Sequence, residues 1–447
     1  MRIGILGAGL AGISLAHFLD ARDPATEIEL LEKASQPGGL CQSFRFGQFP
    51  YDVGPHIIFS KDAEILQLMV DLLGENVQRL RRSNRIFHDG RLIKYPFENE
   101  LSALSDADKQ YCLDAFLNNP YSAYQPANML QFFLVTFGEG ITNLYLRPYN
   151  EKIWKFDPAM MDTQMVDRIP KPPAEDIVKS AQGIPSEGYV HQLFFHYPKT
   201  GGIQAIVDGF RNRFSSRVAL SLDCEIQRIE NQGGRWMVDL ADGTRREYDR
   251  LVSTIPTADL ITALGATVPE TVREAARALR FNSIAICQVR VRRDTLGDNF
   301  AVMVADKQVL FHRLSKLDFL VPEEARDGTT TFQLEVTYRP GDRIDQMADE
   351  ALAARLVADL DRLGFARRDD VLAHEVRRFR HAYVIYDLDH RRNVDVVRDY
   401  CENQRGIVLH GRFGQFNYMN MDAVIRRSIE RAQSWASPPR GSSGGTT

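Results

Sequence analysis

The chain has no long apolar run, no surplus of either charge and few cysteines, and each absence excludes something. No window among the 447 residues approaches the ~20 consecutive apolar residues that a bilayer span requires, which argues against a membrane helix. Lysine and arginine total 55 against 59 aspartate and glutamate, a formal net charge of −4, so there is no global attraction to nucleic acid or to an anionic membrane. Anion recognition has to come from local arginines. The five cysteines, Cys41, Cys112, Cys224, Cys287 and Cys401, are odd in number and widely scattered. That argues against a disulfide framework or a zinc site and points to a reducing cytoplasm. No metal-spaced His/Cys cluster and no Ser-His-Asp arrangement stands out, which leaves hydrolase and metalloenzyme readings little support. The N-terminus lacks the basic start and unbroken apolar run of a signal peptide.

What is present begins at the first residues. Ile3, Ile5 and Leu6 read as a short buried strand, Gly7, Gly9 and Gly12 form G-x-G-x-x-G, and a helix starts with Ile13. Glu32 closes a second apolar run, Ile28 to Leu31, twenty positions after Gly12. This is the pattern of a dinucleotide-binding βαβ unit. The glycines let backbone approach a pyrophosphate, the helix N-terminus offers it free N–H groups, and the acid accepts from a ribose hydroxyl.

A second glycine pair follows in Lys33-Ala34-Ser35-Gln36-Pro37-Gly38-Gly39-Leu40, and then Tyr51-Asp52-Val53-Gly54-Pro55-His56. An NAD enzyme has no need of a second pair here, whereas a flavin requires the chain to pass close to the cofactor again. The alternative is a plain Pro-Gly-Gly turn between two strands. The arrangement resembles the glutathione-reductase-type FAD proteins, which include amine oxidases, protoporphyrinogen oxidases and UDP-galactopyranose mutases.

The length and an apolar fraction of 44% suit two or three domains of a globular α/β protein. The expected fold is a glutathione-reductase-type FAD-binding Rossmann domain with an inserted helical domain and an antiparallel-sheet substrate domain. The FAD domain is expected to be discontinuous, over 1–75, 200–260 and 400–436. Residues 100–180 read as helical, with Asp106–Leu117 and Met129–Tyr145 at helical spacing. Residues 80–98 and 280–385 read as the sheet domain, with a hairpin around Asp89-Gly90 and a helix near Asp345–Leu363. Val408–Arg412 reads as a buried strand and Asp157–Pro173 as a loop. The stretch 437–447 is low in complexity and expected to be a disordered tail.

The middle of the chain holds Leu144-Tyr145-Leu146-Arg147-Pro148-Tyr149-Asn150-Glu151-Lys152-Ile153-Trp154, followed by Arg168-Ile169-Pro170. This is similar to the UDP-galactopyranose mutase family, in which a Tyr-x-x-Lys-x-Trp-like stretch precedes, by fourteen residues, an arginine before Ile-Pro. The likeness continues through Gly201-Gly202, Arg313-Leu314 ahead of Phe319, Tyr383 at twenty-nine residues before Arg412, and Gly411 to Asp422.

The resemblance implies residue roles. Arg168 and Arg313 hold a diphosphate, with Tyr383 and Tyr418 donating to it, as rigid guanidinium forks and phenols suit such a group. Tyr149 stacks on the base, and Trp154 and Tyr189 line the sugar pocket. Gly7, Gly9, Gly12, Glu32, Lys33, Gly39, Leu40, Arg412 and Met421 bind the flavin, with His56 over its isoalloxazine. His56, Arg168 and Arg313 are the implied catalytic residues. The implied reaction is a pyranose–furanose isomerisation of a nucleotide diphosphate sugar through an adduct on N5 of reduced FAD, which calls for an external reductant. A cytoplasmic enzyme follows, and the reading leaves room for a homodimer.

Other readings stay open at this level. Arg168 also fits a helix end paired with Asp162 or Asp167, and Arg313 fits an exposed structural position. Tyr149 and Trp154, five apart, do not share one helix face well, which leaves open that one of them is simply core. Lys152 reads as solvated, and His312 and His410 as satisfied packing histidines. Phe59-Ser60 stands where the mutases have a second histidine, and Asn420 where they have an aspartate. Gly38–Cys41 and Ser253–Pro256 look more like the oxidase branch, so a redox flavoenzyme of the amine oxidase or protoporphyrinogen oxidase type is the alternative. A non-enzymatic binder resembling the GDP-dissociation inhibitors is a third, against which Gly38-Gly39 and Gly411-Arg412 argue.

Overall fold

The computed structural model describes residues 1–169, 171–184 and 193–435. Contacts divide the chain into two compact units, one made of Met1–Gly39, Ile206–Val268 and the segment from Arg398 onward, the other of Leu40–Ala205 and Pro269–Val397. The mixed α/β class read from the sequence is present: a parallel sheet in the first unit and antiparallel sheets in both.

In the first unit five parallel strands lie in the order Val408–Leu409, Arg250–Ser253, Arg2–Leu6, Glu27–Leu31, Val218–Ser221. Their runs of Ile, Leu and Val are buried on both faces, as a covered parallel sheet demands: Ile3, Ile5, Leu30 and Val252 are fully enclosed. Helix Leu10–Arg22 follows the first strand and packs against helix Met421–Gln433, where the hydroxyls of Ser14 and Ser428 meet at 2.8 Å. The strand expected over Val408–Arg412 ends at Leu409. Gly411, with φ +79°, turns the chain into the short helix Gly411–Gly414 instead.

The second unit is built on a seven-stranded sheet in the order Val371–Val384, Phe281–Val291, Thr330–Tyr338, Arg313–Lys316, Ala301–Val304, Asn84–His88, Arg91–Lys94. All pairs are antiparallel except Ala301–Val304 with Asn84–His88. The Asp89-Gly90 hairpin joins the last two strands. Strand Thr330–Tyr338 is buried along its whole length, so its two faces separate by residue type. Phe332, Leu334, Val336 and Tyr338 form one core with Leu352, Leu356 and Leu360 of helix Asp349–Arg362. The other face carries Thr331, Gln333, Glu335 and Thr337, all within 1% of full burial.

Smaller departures from the sequence reading have local causes. Helix Asp349–Arg362 starts later than expected because the Asp342 carboxylate gathers the N–H groups of Arg339, Ile344 and Asp345 into a turn. The segment expected as a loop holds two 3-10 turns, Pro158–Met160 and Thr163–Arg168, capped by Asp157 and Asp162. Helix Met129–Ile141 kinks at Gly138 and gives way to a wider π turn, Thr142–Leu146, before helix Arg147–Trp154. No helix among the described residues is long and apolar enough to cross a membrane.

Candidate functional site

In the first unit the glycine loop is tied to the end of the second strand. Gly7 N donates to Leu31 O and Gly38 N to Ala8 O, each at 2.8 Å, so the two glycine segments run side by side at Gly9 and Gly38. The Glu32 carboxylate lies against the same loop, accepting from Ala8 N at 2.8 Å and Ala34 N at 3.0 Å. A Cβ on Gly12 would overlap the Gly7 carbonyl oxygen, so only glycine lets helix Leu10–Arg22 start this close to the turn. A Cβ on Gly9 would meet nothing nearer than 3.9 Å, which leaves that face of the loop open. The helix has no side-chain cap and no acid in its first turn, so its leading N–H groups are available to an anion.

These residues fit the nucleotide part of FAD: a glycine approach, a helix start and a carboxylate next to it. Lys33 and Gly39 are exposed beside them. Near the chain's end Arg412 donates from Nε and Nη2 to Met419 O and lies over the Tyr418 ring at 4.7 Å, while Met421 opens the last helix. Tyr418, expected to serve the diphosphate, thus belongs to the first unit.

In the second unit the structure brings Arg313, Tyr149, Tyr383, Trp154 and His56 into one region. Arg313 faces Glu335 across paired strands, Nε to Oε1 at 2.5 Å and Nη2 to Oε2 at 2.7 Å. The carboxylate is completely buried and the guanidinium 26% exposed. Burial works against the guanidinium's charge, but Glu335 and the nearby phenols of Tyr383 and Tyr149 more than restore it, and its pKa is raised. Arg313 is therefore not the exposed strand residue that one sequence reading allowed. Gly54 sits directly on this ion pair: a Cβ there would stand 3.3 Å from Arg313 Nη2 and 3.2 Å from Glu335 Oε2, and its φ of +76° suits only glycine. The Gly54 carbonyl in turn accepts from His56 Nδ1 at 3.0 Å. Leu40 packs with Tyr51 and Val53 at the start of the same segment.

Helix Arg147–Trp154 supplies the aromatic side. Tyr149 continues a ladder of parallel rings, Phe97 on Tyr145 at 5.1 Å and Tyr145 on Tyr149 at 5.2 Å, and is itself half-buried. Trp154 is the core member of the pair: it is 8% exposed, its Nε1 donates to Asn150 Oδ1, and Tyr383 meets it edge-on at 5.7 Å. Lys152 is not solvated as expected. It is 5% exposed, and its Nζ donates to the carbonyls of Val304 and Asp306, which fasten the helix to the end of strand Ala301–Val304. Burial, with the charge of Lys155, pushes its pKa down to about 7.

His312 also departs from the sequence reading. It is 1% exposed, and neither ring nitrogen has a hydrogen-bond partner among the described residues; Glu335 Oε2 is 3.9 Å away. Burial and the charges of Arg313, Lys152 and Lys155 hold it neutral, with its pKa well below the usual histidine value.

Arg168 closes the turn Thr163–Arg168; its side chain, like all of Tyr189, lies outside the described residues. Asp162, one of its two suggested partners, accepts from Arg391 at 3.1 Å. Sequence reasoning missed Glu335, Arg82 and the partly buried Tyr95, the last two of which interact with Arg313 and with each other. Glu335 left one signal: it is the single charge in the otherwise uncharged stretch Thr330–Tyr338. Beside it the sheet face continues through Gln333, Gln288, Ser315 and Thr331, where Gln288 Nε2 donates to Gln333 Oε1 at 2.8 Å. Gln288 Oε1, Gln333 Nε2, Ser315 Oγ and Thr331 Oγ1 have no further partner among the described residues. This face is built for hydrogen bonding rather than for apolar contact.

Comparisons with known proteins bear on the family and the fold. Residues 10–393 match the family model described as flavin containing amine oxidoreductase. A stretch of 70 residues is 31% identical to coproporphyrinogen III oxidase of Staphylococcus aureus (strain NCTC 8325 / PS 47), covering 16% of this chain and only 15% of that protein. Reduced UDP-galactopyranose mutase superposes with a TM-score of 0.85 at 22% identity, over 97% of this chain and 93% of that one. A protein assigned as a protoporphyrinogen oxidase from Exiguobacterium sp. 255-15 gives 0.77 at 18% identity, over 97% and 98%. At these identities the superpositions establish a shared fold. The family match extends through most of the chain, from the dinucleotide helix to the last helix of the second unit, and the chain belongs to the flavin-containing amine oxidoreductase family.

Proposed function

We propose that the protein is an FAD-dependent, redox-neutral isomerase of a nucleotide diphosphate sugar, interconverting pyranose and furanose forms. The observation that carries this reading is the Arg313–Glu335 pair, set among Tyr149 and Tyr383 beside a buried sheet face of Thr, Gln and Ser. A diphosphate prefers a rigid guanidinium and phenolic donors, and a sugar prefers hydrogen-bonding walls.

In this reading Arg313, fixed by Glu335, holds the diphosphate and steadies it as it leaves, with Arg168 as its partner and Tyr383 as a donor. Tyr149 offers its ring to the base, at the end of a stack that is already aligned. Trp154 and Tyr189 shape the sugar pocket. Glu32, Gly9 and the start of helix Leu10–Arg22 hold the nucleotide part of FAD. The reduced flavin supplies the covalent chemistry of ring opening, so the chain has to bind, orient and exclude water rather than provide an acid–base pair. An external reductant is required to bring the flavin to its working state.

The test is to incubate dithionite-reduced protein, loaded with FAD, anaerobically with a panel of nucleotide sugars and to analyse products by chromatography and NMR. A furanose product without net oxidation is expected. Arg313→Ala is expected to weaken nucleotide diphosphate binding by roughly 1.5–3 kcal/mol with the flavin retained. Steady oxygen consumption with an amine or a porphyrinogen, and no isomerised sugar, would replace this reading with the oxidase one.

A further inference from the structure

The carboxylate of Asp52 is 2% exposed, and the contacts around it are all hydrogen-bond donors without charge. Oδ1 accepts from Ser43 Oγ at 2.6 Å and from Ile203 N at 3.0 Å, and Oδ2 accepts from Tyr197 OH at 2.8 Å. The backbone N–H of His56 is a fourth donor. Ser43 Oγ passes the interaction on by accepting from Gln204 N at 3.0 Å. The Gly201–Gly202 turn is packed directly on this cage: a Cβ on Gly202 would overlap Ser43 Oγ and stand 2.8 Å from Asp52 Oδ1.

Two residues further on, Gly54 rests against Arg313 and Glu335, and its carbonyl holds His56 Nδ1. One residue back, Tyr51 donates to Glu375 Oε1 at 2.6 Å and accepts from Arg377 Nε at 3.0 Å. The stretch from Tyr51 to His56 thus touches the outer strand, the glycine turn and the Arg313–Glu335 pair in six residues.

We infer that Asp52 is a positioning residue whose ionised carboxylate clamps the Tyr51–His56 segment to the Gly201–Gly202 turn, and so sets where His56 and Gly54 stand. Four donors converge on two oxygens, and only a carboxylate accepts them all. An amide in its place turns N–H toward Tyr197, and a protonated acid turns O–H toward one of the donors. Either change loosens the clamp. The titratable group facing Asp52 is Tyr197 on strand Phe194–Pro198, whose hydroxyl burial and Asp52 both push up. Strand Ser43–Phe46 contributes a neutral hydroxyl, and the Gly201–Gln204 turn contributes backbone alone. With the charge unopposed, burial pushes the carboxyl up to about 6.

The significance of His56 rests on the flavin reading given above, so the experiment has two arms. In the full chain labelled with 15N, the amide resonances of Ile203 and His56 are followed across the range around the Asp52 midpoint of about 6. They are expected to move together with one midpoint, to stop titrating in Asp52→Asn, and in Tyr197→Phe to keep titrating with the midpoint raised by about half a unit, since one donor is lost. In the second arm, turnover of a nucleotide sugar by Asp52→Asn is expected to lose its acid limb and to fall in kcat about tenfold, with little change in KM. Independent titration of the two amides, or an unmoved midpoint in Tyr197→Phe, overturns the clamp whether or not Asp52→Asn folds. A protein that titrates as expected but turns over no nucleotide sugar overturns the function proposed above and leaves the clamp standing.

Discussion

Arg313 and Glu335 are held side by side by the strand register that pairs them, and the guanidinium occupies both oxygens of a carboxylate with no exposure at all. Removing one partner leaves the other buried and unpaired. Arg313→Ala and Glu335→Ala are each expected to cost about 3–5 kcal/mol in urea unfolding. The double variant Arg313→Leu/Glu335→Leu, which has nothing left unpaired, should recover most of that loss and still fail to bind UDP in calorimetry. A double variant that binds UDP like the original chain would show that the pair is structural only.

The last two glycines of the nucleotide loop predict different phenotypes. Gly12→Ala drives a methyl into the Gly7 carbonyl and is expected to destabilise the protein by about 1–3 kcal/mol, as overpacking does. Gly9→Ala meets nothing within 3.9 Å, so thermal stability without cofactor should be unchanged to within about 0.5 kcal/mol. Flavin affinity, measured by fluorescence quenching, should nevertheless fall for Gly9→Ala, because in the proposed binding mode the cofactor's phosphates approach the backbone at Gly9. Equal flavin affinity in Gly9→Ala and the parent would contradict the placement of FAD.

Acid stability should carry the signature of His410. Its Nε2 is 2.8 Å from Ser428 Oγ, and burial, followed by the charges of Arg431 and Arg427, pushes its pKa from 6.5 down to about 3. The unfolded chain takes up the proton first, so the stability is fully present above 6.5 and is lost as pH falls toward 3, by roughly 1.4 kcal/mol per unit. Asp52 acts in the opposite sense, since its carboxyl is raised from 3.8 to about 6 and its contribution is lost as pH rises through that range. Because the two partly cancel in the parent chain, the histidine is isolated by the difference between His410→Gln and the parent: that difference should shift steadily in the variant's favour as pH falls from 6.5 to 4. Parallel curves would show that His410 is already protonated in the folded protein.

Parts of this architecture were readable residue by residue. Gly7, Gly9, Gly12 and Glu32 lie close together in the chain, so their spacing alone specifies the turn, the helix start and the acid that meet in the first unit. Tyr149 and Trp154 were visible for the same reason, and their five-residue separation left open which, if either, was core; burial of Trp154 answers that. Lys152 defeated the sequence reading because a lysine directly after Asn150 and Glu151 looks solvated; only the distant Val304 and Asp306 carbonyls explain its burial.

The sequence by itself determined the dinucleotide βαβ, the flavin class and the identity of the residues suited to hold an anion, because each rests on local spacing and side-chain chemistry. Tertiary structure alone decided which of those residues are free to act. Glu335 reaches Arg313 across 22 positions of chain, and Tyr197 reaches Asp52 across 145. Such pairings follow from strand register and burial, which convert an ordinary carboxylate into a fixed anchor, and no local pattern announces them.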